Sequence, residues 1–182
     1  MVHIVVDGNY AGYITIGDEI KPDAEKAMKL LRQQGIEHVA MLTGDTKCAA
    51  DTVANKLGID NFYADLLPED KVSIFEKLIK QNSGEGKIAF VGDGINDAPV
   101  LARADVGVAM GGLGSDAAIV TADVVLMNDS PMKMTVAVTI AKHTRQIVWQ
   151  NITLAFVVKG IFILFGAMGL ATMWEAVFAD MG

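Results

Sequence analysis

An apolar stretch near the carboxyl end constrains this chain most, because residues 152–174 contain a single charged side chain, Lys159. Roughly 20 apolar helical residues are enough to cross the hydrocarbon core of a bilayer. The stretch therefore predicts a membrane-spanning helix. Three basic side chains lie just before it and place that end in the cytoplasm: Lys142, His143 and Arg145. The alternative is a buried hairpin of core helices in a soluble protein, but the run exceeds the usual length of a core helix.

The preceding residues have the pattern of a soluble α/β domain. Short β-rich runs alternate with helical segments, which is typical of βαβ units and a mostly parallel sheet. A hairpin of Val2–Val6 and Ala11–Ile16 comes before them. We expect an α/β domain over residues 1–128, a helical connection over 129–146, and a transmembrane hairpin over 147–182. Its second helix, from Met173, is too short to span within these residues.

Composition excludes several classes of protein. The 182 residues carry a net charge of −7 and no Lys/Arg run, so a nucleic-acid partner is not expected. The one cysteine, Cys48, excludes an internal disulfide and a CxxC metal site. No basic-then-apolar signal segment begins the chain.

A glycine- and aspartate-rich string follows the predicted strand Lys87–Val91. It reads Gly-Asp-Gly-Ile-Asn-Asp-Ala-Pro and contributes the carboxylates of Asp93 and Asp97 and the amide of Asn96. Open α/β sheets bind their ligands at the carboxyl ends of their strands. Hard oxygen ligands at that point suit Mg²⁺ and a phosphate. The alternative is a glycine turn in which Asn96 or Asp97 caps the next helix.

A second candidate segment is Thr43-Gly44-Asp45, which follows the predicted strand Glu37–Leu42 and precedes a helix. A hydroxyl and backbone N–H groups at a helix N-terminus can hold a phosphate. The alternative is that Asp45 or Thr46 is an ordinary N-cap. Right-handed crossovers predict that this loop and the loop after Val91 lie at the same edge of the sheet.

Lys71 lies in the first turn of a helix that Pro68 opens. A cation is unfavourable at the positive end of the helix dipole, so a lysine here indicates a phosphoryl group within its reach. A solvated surface lysine is the alternative. With Thr43 and Asp93, Lys71 would supply the hydroxyl, cation and metal-binding carboxylate that phosphoryl transfer requires.

The three motifs TGD, PEDK and GDGINDAP, in this order, resemble the phosphorylation domain of P-type ATPases, in the haloacid dehalogenase superfamily. The resemblance implies a partial haloacid dehalogenase-like, Rossmann-like parallel sheet followed by a transmembrane helical hairpin. It also implies a Mg²⁺ site at Asp93 and Asp97, with ATP as the substrate of the intact pump. The residues implied to act on the phosphoryl group are Thr43, Gly44, Asp45, Lys71 and Asn96.

Lys159 and Asp180 are the candidate ion-handling residues. A cation in the middle of a membrane span is expensive and indicates function. Snorkelling of Lys159 and a tail position for Asp180 are the alternatives. The pair, with residues 151–156, resembles the subgroup of P-type ATPases that exports zinc, cadmium and lead. This implies Zn²⁺, Cd²⁺ or Pb²⁺ as the transported ion and a multi-pass plasma-membrane protein with residues 1–146 in the cytoplasm.

The family's phosphoacceptor sequence DKTGT does not occur in the 182 residues. The covalent intermediate requires that aspartate, so we expect the chain alone to be inactive. We expect it to be the C-terminal part of a pump whose N-terminal part is missing, whether by a truncated gene, a split pump or a cut piece. Two alternatives remain: a stand-alone phosphatase with Asp7 as its nearest candidate nucleophile, and a membrane-anchored, non-catalytic remnant that binds a partner pump.

Overall fold

The computed structural model describes residues 2–14, 19–82, 86–92, 97–111 and 116–169. The chain divides into two compact units, Met1–Thr135 and Val136–Gly182. The first unit carries the described strands, the shorter helices, and residues 132–135 of a long apolar helix. The rest of that helix makes up most of the described part of the second unit.

The first unit begins with an antiparallel hairpin of β1 (Val2–Val6) and β2 (Asn9–Ile14). The turn residues Asp7 and Gly8 both have positive φ, 49° and 79°, as a tight two-residue hairpin turn requires. The hairpin is confirmed, but its second strand begins two residues earlier than predicted. Nearly every residue of both strands is exposed, so neither face of the hairpin is covered by the rest of the described chain.

The next two strands, β3 (Ala40–Leu42) and β4 (Asn61–Tyr63), pair in parallel. The helices around β3 are α1 (Ala24–Gln33) and α2 (Lys47–Leu57). Gly58 ends α2 in the left-handed conformation, which a glycine adopts without steric cost. These two strands form one βαβ unit.

A second parallel sheet contains β5 (Ala89–Gly92), β6 (Val106–Met110) and β7 (Val124–Leu126), in that order. Between these strands lie α4 (Ala98–Leu101) and α5 (Asp116–Thr121), and α3 (Pro68–Gln81) precedes them. The predicted parallel pairing of the strands that follow the hairpin is confirmed. Among the described residues no ladder joins β3–β4 to β5–β7, so the common sheet edge of the Thr43 loop and the loop after Val91 stays a prediction.

The largest fully buried side chains of the first unit lie between β6 and α4. Val100, Leu101 and Val108 are almost completely buried. A Cβ at Gly107 would come within 2.8 Å of the Leu101 carbonyl oxygen, so only glycine permits this close approach of strand to helix.

The long helix α6 spans Met132–Ala167, 36 residues. It runs without a break across residue 146. By length and composition it is the one helix in the described ranges that could cross a membrane, with a mean hydropathy of 1.8 over its most apolar window. It ends at Ala167, two residues before Gly169, whose φ is +70°. Residues 170–182, with the predicted return helix, lie outside the described residues.

Candidate functional site

The ion pair between Lys71 and Asp97 is the centre of the candidate site. Lys71 lies in the first turn of α3, and its Nζ donates to Asp97 Oδ1 at 2.9 Å. The two side chains are 19% and 11% exposed. The interpretation of Lys71 as a solvated surface lysine is therefore wrong, because its amine points to a carboxylate 26 residues further along the chain.

Asp97 immediately precedes α4 but does not serve as its side-chain cap. Within the described ranges its carboxylate makes no capping hydrogen bond to the helix. It lies instead against Gly92, at the end of β5, where a Cβ would come within 2.8 Å of Asp97 Cβ and 3.0 Å of Asp97 Oδ2. Because Gly92 has no side chain, the carboxylate of Asp97 can occupy this space. The alternative in which the Asp97 side chain caps the next helix is therefore wrong.

Packing between α3, β5 and the end of α4 fixes this ion pair in place. Phe75 of α3 is 2% exposed, and its ring meets Phe90 of β5 edge to face, with centroids 5.4 Å apart. Arg103 donates to Glu76 Oε1 at 2.9 Å and to the Pro99 carbonyl oxygen at 2.7 Å. These contacts were not predicted, because no local sequence signal pairs residues so far apart.

The Thr43-Gly44-Asp45 loop is held by its own side chains. The Thr43 hydroxyl donates to Asp45 Oδ2 at 2.7 Å and accepts the Asp45 N–H at 3.1 Å. Thr46 is the N-cap of α2 by position, but in the described part of the chain it makes no side-chain capping bond. The Asp45 carboxylate is engaged by Thr43, so the simple N-cap alternative does not describe this loop.

Backbone hydrogen bonds tie this loop to the segment that leads into α3. The Asp65 N–H donates to the Asp45 carbonyl at 2.8 Å, and the Leu66 N–H donates to the Thr43 carbonyl at 3.1 Å. A Cβ at Gly44 would lie 3.3 Å from the Leu66 carbonyl oxygen, so the two segments are closely apposed. Asp65 has a φ of +55°, which is uncommon for a residue other than glycine. The helix α3, which carries Lys71, begins three residues after Asp65, and the bend at Asp65 was not predicted.

The other predicted residues are not brought to this place by the described structure. Asp93, Asn96 and Asp180 lie outside the described residues. Lys159 is on α6, in its apolar part. Asp7 lies in the turn of the antiparallel hairpin, away from the carboxyl end of any described parallel strand, which argues against the nucleophile of a stand-alone phosphatase.

The described residues offer one metal ligand at this site. Asp97 supplies a carboxylate oxygen at the end of a parallel strand, in a space that a side chain at Gly92 would fill. This donor suits a hard divalent cation such as Mg²⁺, which takes one or two protein carboxylates and keeps several waters. No cluster of three or more histidine, cysteine or acidic side chains occurs in the described ranges, so a metal cage made entirely of protein ligands is not seen there.

The chain is similar over almost its whole length to many known proteins, among them the following three. A zinc-transporting ATPase of Synechocystis sp. is 60% identical over all 182 residues, which cover 25% of that protein. A cadmium, zinc and cobalt-transporting ATPase of Bacillus subtilis is 58% identical over the same length, 26% of that protein. A crystal structure of a zinc-transporting PIB-type ATPase in its E2.Pi state has a TM-score of 0.84 at 39% identity, covering 99% of this chain and 29% of that one. The chain spans about a quarter of the length of the curated relatives it matches.

A family model also matches the first unit. The model is that of the haloacid dehalogenase-like hydrolases, and it covers residues 2–105, which is more than half of the chain. This range includes the Thr43 loop, Lys71 and Asp97, and the parallel strands that position them. The chain therefore belongs to the haloacid dehalogenase-like hydrolase family.

Proposed function

We propose that this chain is the C-terminal part of an ATP-driven pump that exports Zn²⁺, Cd²⁺ or Pb²⁺. The observation that carries the proposal is the largely buried ion pair between Lys71 and Asp97, in which a cation lies beside a carboxylate at the end of β5. The relatives with zinc and cadmium transport in their names support a pump rather than another hydrolase.

The phosphoryl group would be held by Lys71 of this ion pair together with the Thr43-Gly44-Asp45 loop. Lys71 supplies a positive charge for its oxygens, and the Thr43 hydroxyl can turn from Asp45 to donate to one of them. The N–H groups at the start of α2 add partial positive charge. Gly44 keeps the loop without a side chain where it approaches Leu66. Asn96 is proposed as a further contact on the strength of the motif.

Asp97, together with Asp93, would hold Mg²⁺. A bound Mg²⁺ neutralises charge on the phosphoryl oxygens and orients them for in-line transfer. In the structure the Asp97 carboxylate is held by Lys71, so the lysine keeps the carboxylate oriented at the end of the strand.

The nucleophile must come from another part of the pump. There, an aspartate carboxylate would attack the γ-phosphorus of ATP and release ADP, and water would later hydrolyse the aspartyl phosphate. The 182 residues contain no DKTGT sequence. We therefore expect no ATPase activity from the chain alone.

The transported ion would be handled by Lys159 of α6 together with Asp180. A cation within an apolar span needs a partner, and a carboxylate from a return helix would neutralise it. In this arrangement residues 1–128 form the C-terminal part of the phosphorylation domain, 129–146 a connection on the cytoplasmic side, and 147–182 a transmembrane hairpin in the plasma membrane. Its first helix corresponds to the apolar part of α6, which has the length and composition for it.

A chimera tests this proposal. The matching quarter of the Synechocystis zinc-transporting ATPase is replaced by this chain, and ATP hydrolysis is measured in proteoliposomes with and without Zn²⁺. We expect zinc-stimulated hydrolysis, which Asp97→Asn abolishes. The control is Asp51→Asn, which removes an exposed carboxylate on α2 that bonds only to Asn55 among the contacts described.

Two outcomes would contradict the proposal. A chimera that folds and inserts into the membrane, but whose ATP hydrolysis is not stimulated by Zn²⁺, would exclude Zn²⁺ as the transported ion. Magnesium-dependent ATP turnover by the purified chain alone, lost in Asp93→Ala, would show that the chain needs no nucleophile from elsewhere. Hydrolysis of p-nitrophenyl phosphate that is lost in Asp7→Asn would favour the phosphatase alternative.

A further inference from the structure

The residues that begin α6 are held by the start and end of α1. Ser130 donates its hydroxyl proton to the Asp23 carboxylate, and the Met132 N–H donates to Asp23 Oδ2 at 3.3 Å. At the other end of α1, Gln34 Nε2 donates to the carbonyl oxygen of Thr135 at 3.0 Å. Thr135 is 4% exposed, so the first turn of α6 is packed as well as hydrogen-bonded.

Asp23 occupies the N-cap position of α1 but serves a different helix. Its backbone is near the helical region, with φ −96° and ψ −5°, and within the described ranges its side chain makes no capping bond to α1. The hydrogen bond from Ser130 is the main cause that holds the pKa of Asp23 below its usual value, and the Met132 N–H acts in the same direction. The carboxylate is therefore charged at neutral pH and directed at the start of α6.

The start of α6 needs such a partner. The first N–H groups of a helix have no acceptor within the helix, and a negative charge near them is stabilising. Pro131 precedes α6, and the first turn of α6 contains no acidic residue. The negative charge comes instead from Asp23, more than one hundred residues earlier in the chain.

Contacts also link α1 to the βαβ unit that bears the Thr43 loop. Arg32 of α1 donates to the Gly58 carbonyl oxygen at the end of α2 and to Asp60 Oδ2 at 3.0 Å. Asp60 in turn accepts the Val39 N–H at 2.7 Å, just before β3. The strand β3 ends at the Thr43 loop. An unbroken set of contacts thus joins that loop to α1, and α1 to the first turn of α6.

We propose that Asp23 is a positioning residue that caps α6 from another helix, so that the first turn of α6 moves as part of the unit that carries Lys71 and Asp97. The proposal rests on the proposed function, because in a pump the site and the membrane helix must change conformation together. A helix whose start is held by side chains of this unit follows its rearrangements, whereas a helix joined only by a loop need not.

Amide hydrogen exchange on the purified chain in lipid nanodiscs tests the cap directly. In Asp23→Ala we expect the amides of residues 132–136 to exchange about tenfold faster, because local opening of this turn becomes easier. Asp23→Asn keeps an acceptor oxygen and should restore most of the protection. The control is Glu25→Ala, which removes an acid from the first turn of α1. The carboxylate of Glu25 is hydrogen-bonded to Lys29 and, in the described structure, makes no hydrogen bond or ion pair with α6.

A second variant keeps the test decisive if Asp23→Ala does not fold. Ser130→Ala removes one donor and leaves the carboxylate, so a smaller increase, about threefold, is expected at the same amides. Unchanged exchange at residues 132–136 in a folded Asp23→Ala or Ser130→Ala chain would overturn the cap.

The chimera described above tests the positioning role separately. With Asp23→Ala we expect phosphoenzyme formation to continue while zinc stimulation of ATP hydrolysis falls about fivefold or more. Asp23→Asn should recover most of that stimulation. Zinc stimulation that is unchanged in Asp23→Ala would refute the positioning role. A chimera that is inactive with aspartate at position 23 would count against the proposed function, and the exchange data would still decide whether Asp23 caps α6.

Discussion

Replacing Lys71 with methionine removes the cation that balances the Asp97 carboxylate. Their charged atoms are 2.9 Å apart, which at an effective dielectric constant of 20 corresponds to an attraction of about 6 kcal/mol. The free energy needed to desolvate the two charged groups offsets much of this attraction. Leaving Asp97 unpaired should lower the free energy of unfolding by about 2–3 kcal/mol, slightly less than for a fully buried pair, because the side chains of Lys71 and Asp97 are still 19% and 11% exposed.

The assay is thermal and urea unfolding of the chain in detergent micelles, followed by far-UV circular dichroism. The helix α6 should remain helical in the micelle, so the loss of signal reports the first unit. A loss of about 2–3 kcal/mol should lower the melting temperature by roughly 10 °C for a unit of this size. Asp97→Asn should be destabilising as well, and the double variant should be more stable than the sum of the single changes predicts.

The matched control is the pair of Glu76 and Arg103, which joins α3 to the end of α4 but is 47% and 45% exposed. A double-mutant cycle on that pair should give a coupling energy below about 1 kcal/mol. The corresponding cycle for Lys71 and Asp97 should give about 2 kcal/mol. Equal coupling energies for the two pairs would refute the argument that burial makes the Lys71 contact strong.

Three further changes test the fold around the site. Gly107→Ala brings a Cβ within 2.8 Å of a backbone carbonyl oxygen of α4, so the free energy of unfolding in urea should fall by about 2 kcal/mol. An unfolding free energy equal to that of the wild-type chain would contradict this packing. Phe75→Leu removes an edge-to-face ring contact and should cost about 1–2 kcal/mol in the same assay, with an unchanged dependence on urea. The pKa of Asp60 is lowered from 3.8, first by the Val39 N–H and then by Arg32, so its contribution to stability is present above pH 3.8 and is lost as the pH falls through the folded-state pKa. The stability difference between the wild-type chain and Asp60→Asn should therefore shrink below about pH 4, and a difference that stays constant would contradict this linkage.

The elements that were predicted correctly are those whose signals are local. Pro68, for example, fixes the start of α3 within one turn of the helix. Lys71 was singled out for the same reason, since its conflict with the helix dipole is visible within one turn. Its partner Asp97 was assigned to the site, but the contact between them depends on how α3 packs against β5 and α4. The spacing of apolar residues along the sequence does not indicate which helix packs against which strand.

The start of β3 differs from prediction for an identifiable reason. This strand was predicted from Glu37 but begins at Ala40, because Asp60 Oδ2 accepts the Val39 N–H that a ladder would otherwise use. A side chain far away in sequence thus competes with the regular backbone pattern.

The hairpin of β1 and β2 has a practical consequence for handling this protein. Val5, Val6, Tyr10 and Tyr13 are all more than half exposed, on a two-stranded ribbon whose edges are not paired within the described chain. Ribbons of this kind recruit other strands and self-associate. Detergent shields α6 but offers backbone hydrogen-bond partners to neither edge of the ribbon. The solubility of the purified chain should therefore be limited by its first 14 residues as much as by its membrane helix, and charged substitutions on the ribbon should improve yield where a change of detergent does not.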